Sequence, residues 1–222
     1  MQRSSTGSRR HSLIALATVV VLSALAPASA PAAFHEMKVR EVFPGGGASG
    51  YVELQMYSAG QTVVDGHHIR VYDNTGVESY AFEFSGNATN GQSQRTILVG
   101  GASIPGATAD FPAPLLSTAL NAAATGGAVC FDAIPLDCVA WGTFNGSIPG
   151  ATVGTPVPDI PPDTAIVRRI DRGCATLLEA GDDTDDSNAD FALEPPNPRP
   201  NTLAPTETPC GGGGGGGGGG TS

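Results

Sequence analysis

Short alternations of apolar and polar residues, each cut off by Gly, Asn or Pro, run through most of this chain. In 38–43, Val39, Glu41 and Phe43 alternate with Lys38, Arg40 and Val42. In 51–56, Val52, Leu54 and Met56 alternate with Tyr51, Glu53 and Gln55. Successive side chains of a strand point to opposite faces, so period two marks half-buried strands. Segments 68–72, 80–84, 96–99, 128–131, 137–141 and 165–170 fit the same reading. Gly45-Gly46-Gly47, Asp73-Asn74-Thr75-Gly76, 87–91 and Gly100-Gly101 supply turns between them. Many short strands so punctuated predict an all-β sandwich. One stretch departs from the pattern. Within 114–124, Leu115, Leu116, Ala119, Leu120 and Ala123 line one helical face, which predicts a short helix packed over a sheet edge. Ser-Ile-Pro-Gly-Ala-Thr occurs at 103–108 and again at 147–152. Pro-Gly suits the centre of a type II turn. No longer self-similarity surrounds the copies, so they read as two similar turns rather than a repeat architecture. The Pro-, Gly- and Thr-rich stretch 149–162 predicts an extended loop.

Composition agrees. The 31 Gly and 18 Pro among 222 residues oppose a helical bundle, because both break helices. A hydrophobic content of 40% is enough to build a core. Two end segments stand apart from the body. Residues 1–30 carry Arg9-Arg10, an apolar run from Leu13 to Leu25 and the small residues Ala28-Ser29-Ala30, the layout of a secretion signal cleaved after Ala30. The run is too short, and too close to Pro27, for a good membrane span. Ser12 stands where a twin-arginine signal has Phe, which favours the general secretory route. Residues 211–222, ten glycines with Thr221 and Ser222, read as a flexible tail. About 180 residues remain, room for one large domain, placed at 35–210. Cleavage removes Arg3, Arg9 and Arg10 and no acid, so the net charge moves from −10 to −13. Acidity of that size repels phosphate backbones, which disfavours nucleic acid as a partner and favours a cation.

Four cysteines follow the signal, which fits an oxidising, exported compartment. They allow three pairings. A hairpin turning at Ile134 sets Cys130 opposite Cys138, close enough for a cross-strand bridge. Cys174 and Cys210 pair by elimination.

Several of these segments carry a resemblance. Val39-Arg40-Glu41-Val42-Phe43 is followed by a glycine loop and Tyr51-Val52-Glu53-Leu54. Val64-Asp65-Gly66 precedes Ile69-Arg70-Val71-Tyr72. Then come Ala165-Ile166-Val167-Arg168-Arg169, the acidic stretch 182–186, Ala189-Asp190-Phe191 and Pro198-Arg199-Pro200-Asn201. In this order they resemble the lamin-tail domain family, in its exported bacterial, actinobacterial-type version, over about 37–202. The strand Cys138 to Gly142 is similar to bacterial members with a disulfide hairpin. Pro200 interrupts the family's usual Arg-Asn junction, and the middle is longer than in a minimal member. The resemblance implies an immunoglobulin-like β-sandwich that binds or tethers, with no single activity attached.

The sharpest local feature is 183–194. Asp183, Asp185, Ser187 and Glu194 occupy positions 1, 3, 5 and 12 of an EF-hand-type loop, and Ala189 offers its carbonyl at position 7. Hard oxygen ligands at that spacing suit Ca²⁺. Asn188 replaces the loop's glycine, and Pro195-Pro196 forbids a following helix. The same acids also suit a solvated surface turn anchored by Phe191. His67 and His68 are adjacent on a strand and are expected on opposite faces, which keeps them from sharing a metal ion. His35 sits near the new N-terminus. Gly101-Ala-Ser103 lacks the second glycine of a nucleophile elbow. Glu53, flanked by Val52 and Leu54, is expected to face solvent. Trp141 is expected in the core beside the Cys130–Cys138 bridge. Asn87-Ala-Thr89 and Asn145-Gly-Ser147 are glycosylation sequons lying in turns.

The functional expectation is a secreted, extracellular, non-enzymatic binding or tethering module, its partner a protein or a cell-envelope polymer. Two alternatives stand beside it: a metal-assisted secreted hydrolase, and a calcium-stabilised structural domain.

Overall fold

Two antiparallel-dominated sheets face each other across one apolar core in the computed structural model. The chain divides into units Met1–Ala30 and Pro31–Ser222. The structure describes Met1 of the first unit, and residues 36–132 and 137–210 of the second. Residues 2–30 of the expected secretion signal, His35, the turn expected at Ile134 and the glycine run lie outside the described residues.

The strands are β1 (Met37–Phe43), β2 (Tyr51–Met56), β3 (His68–Asp73), β4 (Glu78–Glu83), β5 (Thr96–Gly100), β6 (Phe111–Pro112), β7 (Gly126–Phe131), β8 (Asp137–Gly142), β9 (Ala165–Arg168) and β10 (Phe191–Glu194). Helix α1 spans Leu116–Ala122 and α2 spans Ser187–Asp190. One sheet has the order β10-β9-β1-β2-β5-β6 and the other β4-β3-β7-β8. Val39, Val52, Leu54, Ile97 and Ile166 of the first meet Ile69, Val71, Val129, Phe131 and Trp141 of the second in the core. Leu116, Leu120 and, just past its end, Ala123 bring α1 into it, as the spacing of 114–124 predicts, whereas Leu115, expected on the same face, is exposed at the N-cap. β6 and β10 are short and were not expected. β10 finds its place by pairing along the whole of β9.

Three local findings refine the sequence reading. First, the β1–β2 register shifts between Val39 and Glu41. A bulge adds one residue to a strand and flips the faces beyond it. Val39 and Val42 therefore share the core, and Phe43 joins the outer cluster with Tyr51 and Leu98. The simple alternation expected for 38–43 does not hold. Second, Trp141 is fully buried, with Nε1 donating to the Ala123 carbonyl at 2.8 Å. It faces the core, whereas Cys130 and Cys138 lie on the outer face of their sheet. The tryptophan is thus separated from the bridge that was expected beside it. Third, Val157 pairs with β8: its amide donates to the Ala140 carbonyl and its carbonyl accepts from Gly142. The extended loop therefore covers the β8 edge.

Both outer faces are wrapped, and the twin hexapeptides do much of the wrapping. Ala107 N donates to Ile104 O, and Ala151 N to Ile148 O, closing a turn around each Pro-Gly. Gly106 and Gly150 sit at φ 73° and 81°, the left-handed region that position i+2 of a type II turn requires. Ile104 then caps the outer face of the six-stranded sheet beside Tyr51 and Leu98. Ile148 caps the other sheet beside Tyr72 and Cys130. The bridges are Cys130–Cys138 and Cys174–Cys210, the pairing read from the sequence. No helix among the described residues is long and apolar enough to cross a membrane.

Candidate functional site

Charged side chains gather at two places on the six-stranded sheet, one on its outer face and one between the sheets, and two segments far along the chain bring their partners. The first partner is the strap 195–210, held at its end by the Cys174–Cys210 bridge. Glu53 does not face solvent, as its place between Val52 and Leu54 suggested; it is fully buried. The strap covers it. Arg199 donates to Glu53 from its backbone amide at 2.6 Å and from Nε at 3.2 Å. Arg199 also holds Glu207 at 2.6 Å, and Glu207 accepts from Gln55 at 2.7 Å. Burial pushes the Glu53 carboxyl up to about 8, against the pull of Arg199. Burial also raises Glu41, although its Oε1 accepts from the Tyr51 hydroxyl and from Asn197 N. Asn201 locks the middle of the strap. Its Nδ2 donates to the carbonyls of Thr96 and Asn90, and its Oδ1 accepts from Asn90 N. The ending Pro198-Arg199-Pro200-Asn201 is therefore a fastening device. Its sequence signal was present; its targets, more than a hundred residues earlier, were not visible.

The second partner is the acidic loop. Arg168 of β9 is fully buried, with its guanidinium 4.4 Å from the centre of the Phe191 ring. It reaches Asp137 at 2.7 Å and Asp183 at 3.5 Å. Lys38 meets Asp183 at 2.5 Å and Asp137 at 3.7 Å. Asp137 opens β8 in one sheet while Lys38 and Arg168 belong to the other, so the cluster ties the sheets together. Burial works to raise Asp183, but Arg168 and Lys38 hold it well below the usual carboxylate range. Burial works to lower Lys38, but Asp137 and Asp183 raise it above its ordinary value.

The five residues of the calcium reading are engaged as follows. The Asp183 carboxylate sits between Lys38 and Arg168. Asp185 holds a left-handed φ of 57°. Ser187 Oγ donates to Val153 O and accepts from Ala140 N. The Ala189 carbonyl accepts from Arg172. Glu194 ends β10, exposed. Among the described residues, no group of three or more His, Cys, Asp or Glu could hold a metal ion. The neighbouring acids are also occupied. Asp186 caps α2, and Asp190 binds Arg172 and Thr184.

The histidines behave differently from the expectation of opposite faces. His67 precedes β3, so it is not bound by strand alternation. Both rings approach one carboxylate, with His68 Nδ1 at 2.8 Å and His67 Nδ1 at 3.4 Å from Asp132. Arg70 joins at 3.4 Å.

The space left beside the strap is a cleft of about 320 Å³ whose walls include Arg40, Glu41, Thr176, Asn197, Arg199 and Glu207. Scans against protein-family models, curated proteins and solved structures each returned no match.

Proposed function

We propose that the chain is an exported, non-enzymatic binding or tethering module, an immunoglobulin-like sandwich of lamin-tail type whose partner is a protein or a cell-envelope polymer. One observation carries this reading: the state of the β4 edge. Phe84 directs both N–H and C=O toward the β3 side, bonding His67 O and Gly66 N. Antiparallel strands alternate, so Ala81 and Glu83 direct theirs outward. No backbone hydrogen bond joins that outer side to another segment among the described residues. Side chains at 78, 79, 81 and 83 are exposed. An unpaired edge of this length is a template for an added strand or an aligned polymer. The two bridges and the wrapped faces hold that edge on a rigid body. The fastening role of Arg199 and Asn201 supports the family resemblance, because it gives the most specific motif a physical task.

The test is capture from cell-envelope fractions by the immobilised protein and by Ala81→Pro. Proline there removes an outward amide and leaves the β3 ladder intact. Retained melting temperature with lost capture is the expected result. Equal capture by both proteins, or none by either, overturns the assignment.

A further inference from the structure

The two arginines of the cleft differ in how well they are satisfied. Arg199 has carboxylates on two sides, Glu53 and Glu207. Arg40 has none. Its NH1 donates to the Arg168 carbonyl, its Nε is buried without an acceptor, and it forms no ion pair among the described residues. The carboxylates nearby are committed elsewhere: Glu41 to Tyr51 and Asn197, Glu53 and Glu207 to Arg199. A half-buried guanidinium whose counter-charges, Glu53, Glu207 and Glu41, act only from beyond ion-pair distance is costly to hold. Burial and the neighbouring Arg199 lower the Arg40 pKa by more than Glu53, Glu207 and Glu41 raise it.

We infer that this cleft binds a small organic carboxylate, with Arg40 as its anchor. The guanidinium is a planar fork that matches a carboxylate with paired donors. Thr176 and Thr206 add hydroxyls to the wall, and a volume of about 320 Å³ suits a small molecule. Glu41, Glu194 and Glu207 also line the cleft. They repel a multiply charged anion more than a singly charged one, so a monocarboxylate is preferred to phosphate. This site lies on the opposite sheet from β4 and does not depend on the tethering reading.

The test uses the full chain labelled with ¹⁵N, following the Arg40 Nε–H resonance while acetate, N-acetylglycine or inorganic phosphate is added at constant ionic strength. Acetate and N-acetylglycine should shift it saturably, with phosphate about tenfold weaker or absent, a gap of about 1.4 kcal/mol. Calorimetry should show carboxylate binding lost in Arg40→Gln and weakened in Arg40→Lys, which keeps the charge without the fork. A wild-type resonance that does not move with either carboxylate overturns the site, whether or not the variants fold. So does unchanged affinity in a folded Arg40→Gln.

Discussion

Arg199 grips Glu53 across 146 positions of sequence, its amide at 2.6 Å and its Nε at 3.2 Å from the two carboxylate oxygens. The pair joins the strap to the middle of the six-stranded sheet. It also gives the protein a specific response to pH.

Burial raises Glu53 from 4.5 to about 8. The sign follows from proton counting. Between those values the folded state holds a proton that the unfolded state has lost, so stability falls as pH rises through the window. Glu53→Gln removes that titration. Melting temperatures measured from pH 5 to pH 8 should decline in the wild type and decline less in the variant. Parallel curves would refute the assignment.

Asp183 responds in the opposite sense. Its folded pKa lies below the unfolded value of 3.8, so its stabilisation is present above that value and is lost as pH falls below it. Asp183→Asn leaves Lys38 and Arg168 with less compensation, at a cost of about 3 kcal/mol by chemical denaturation at neutral pH. The same loss is expected with calcium and with chelator, because the carboxylate already serves two cations. A loss seen only with calcium present would instead support a metal role for 183–194.

The Cys174–Cys210 bridge closes a 36-residue separation. Chain entropy sets its contribution at about 4 kcal/mol, against about 2.5 kcal/mol for Cys130–Cys138. Replacing Cys174 and Cys210 by serine should therefore lower stability more than replacing the other pair. Limited proteolysis should cut that variant first within 195–210.

Gly76 sits at φ 84°, and an added Cβ would lie 2.6 Å from the Ser147 carbonyl oxygen. The β3–β4 turn and the second hexapeptide meet there. Gly76→Ala should cost about 1–3 kcal/mol, from backbone strain and from the clash. Gly106→Ala also meets a left-handed φ, but its Cβ has open space. Its cost should be smaller, and thermal melting of the two variants gives the comparison.

What the sequence made legible was local. Strand positions follow from period two, the hairpin bridge from cysteine spacing, and the Pro-Gly turns from residue chemistry. What it hid depends on distant covers. Nothing near Glu53 distinguishes a solvated strand carboxylate from one roofed by Arg199. Nothing in 183–194 shows that Lys38 and Arg168 will claim Asp183. The Val39/Glu41 bulge leaves no glycine or proline as a marker, so the face exchange in β1 appears only in the register. His67 lies one residue before the start of β3, where strand alternation no longer sets the side chain's direction.

The strap has a consequence for the order in which the molecule is made. A chain synthesised from its N-terminus can pair β1, β2 and β5 long before residue 199 exists. Until then Glu53 lacks Arg199 and Asn90 lacks Asn201. The nascent sheet carries raw carboxylates on a face that the finished protein seals. The strap, made after every strand it covers, thus settles a debt of charge incurred at the beginning, and sealing of that face has to wait until residues 197–201 have been synthesised.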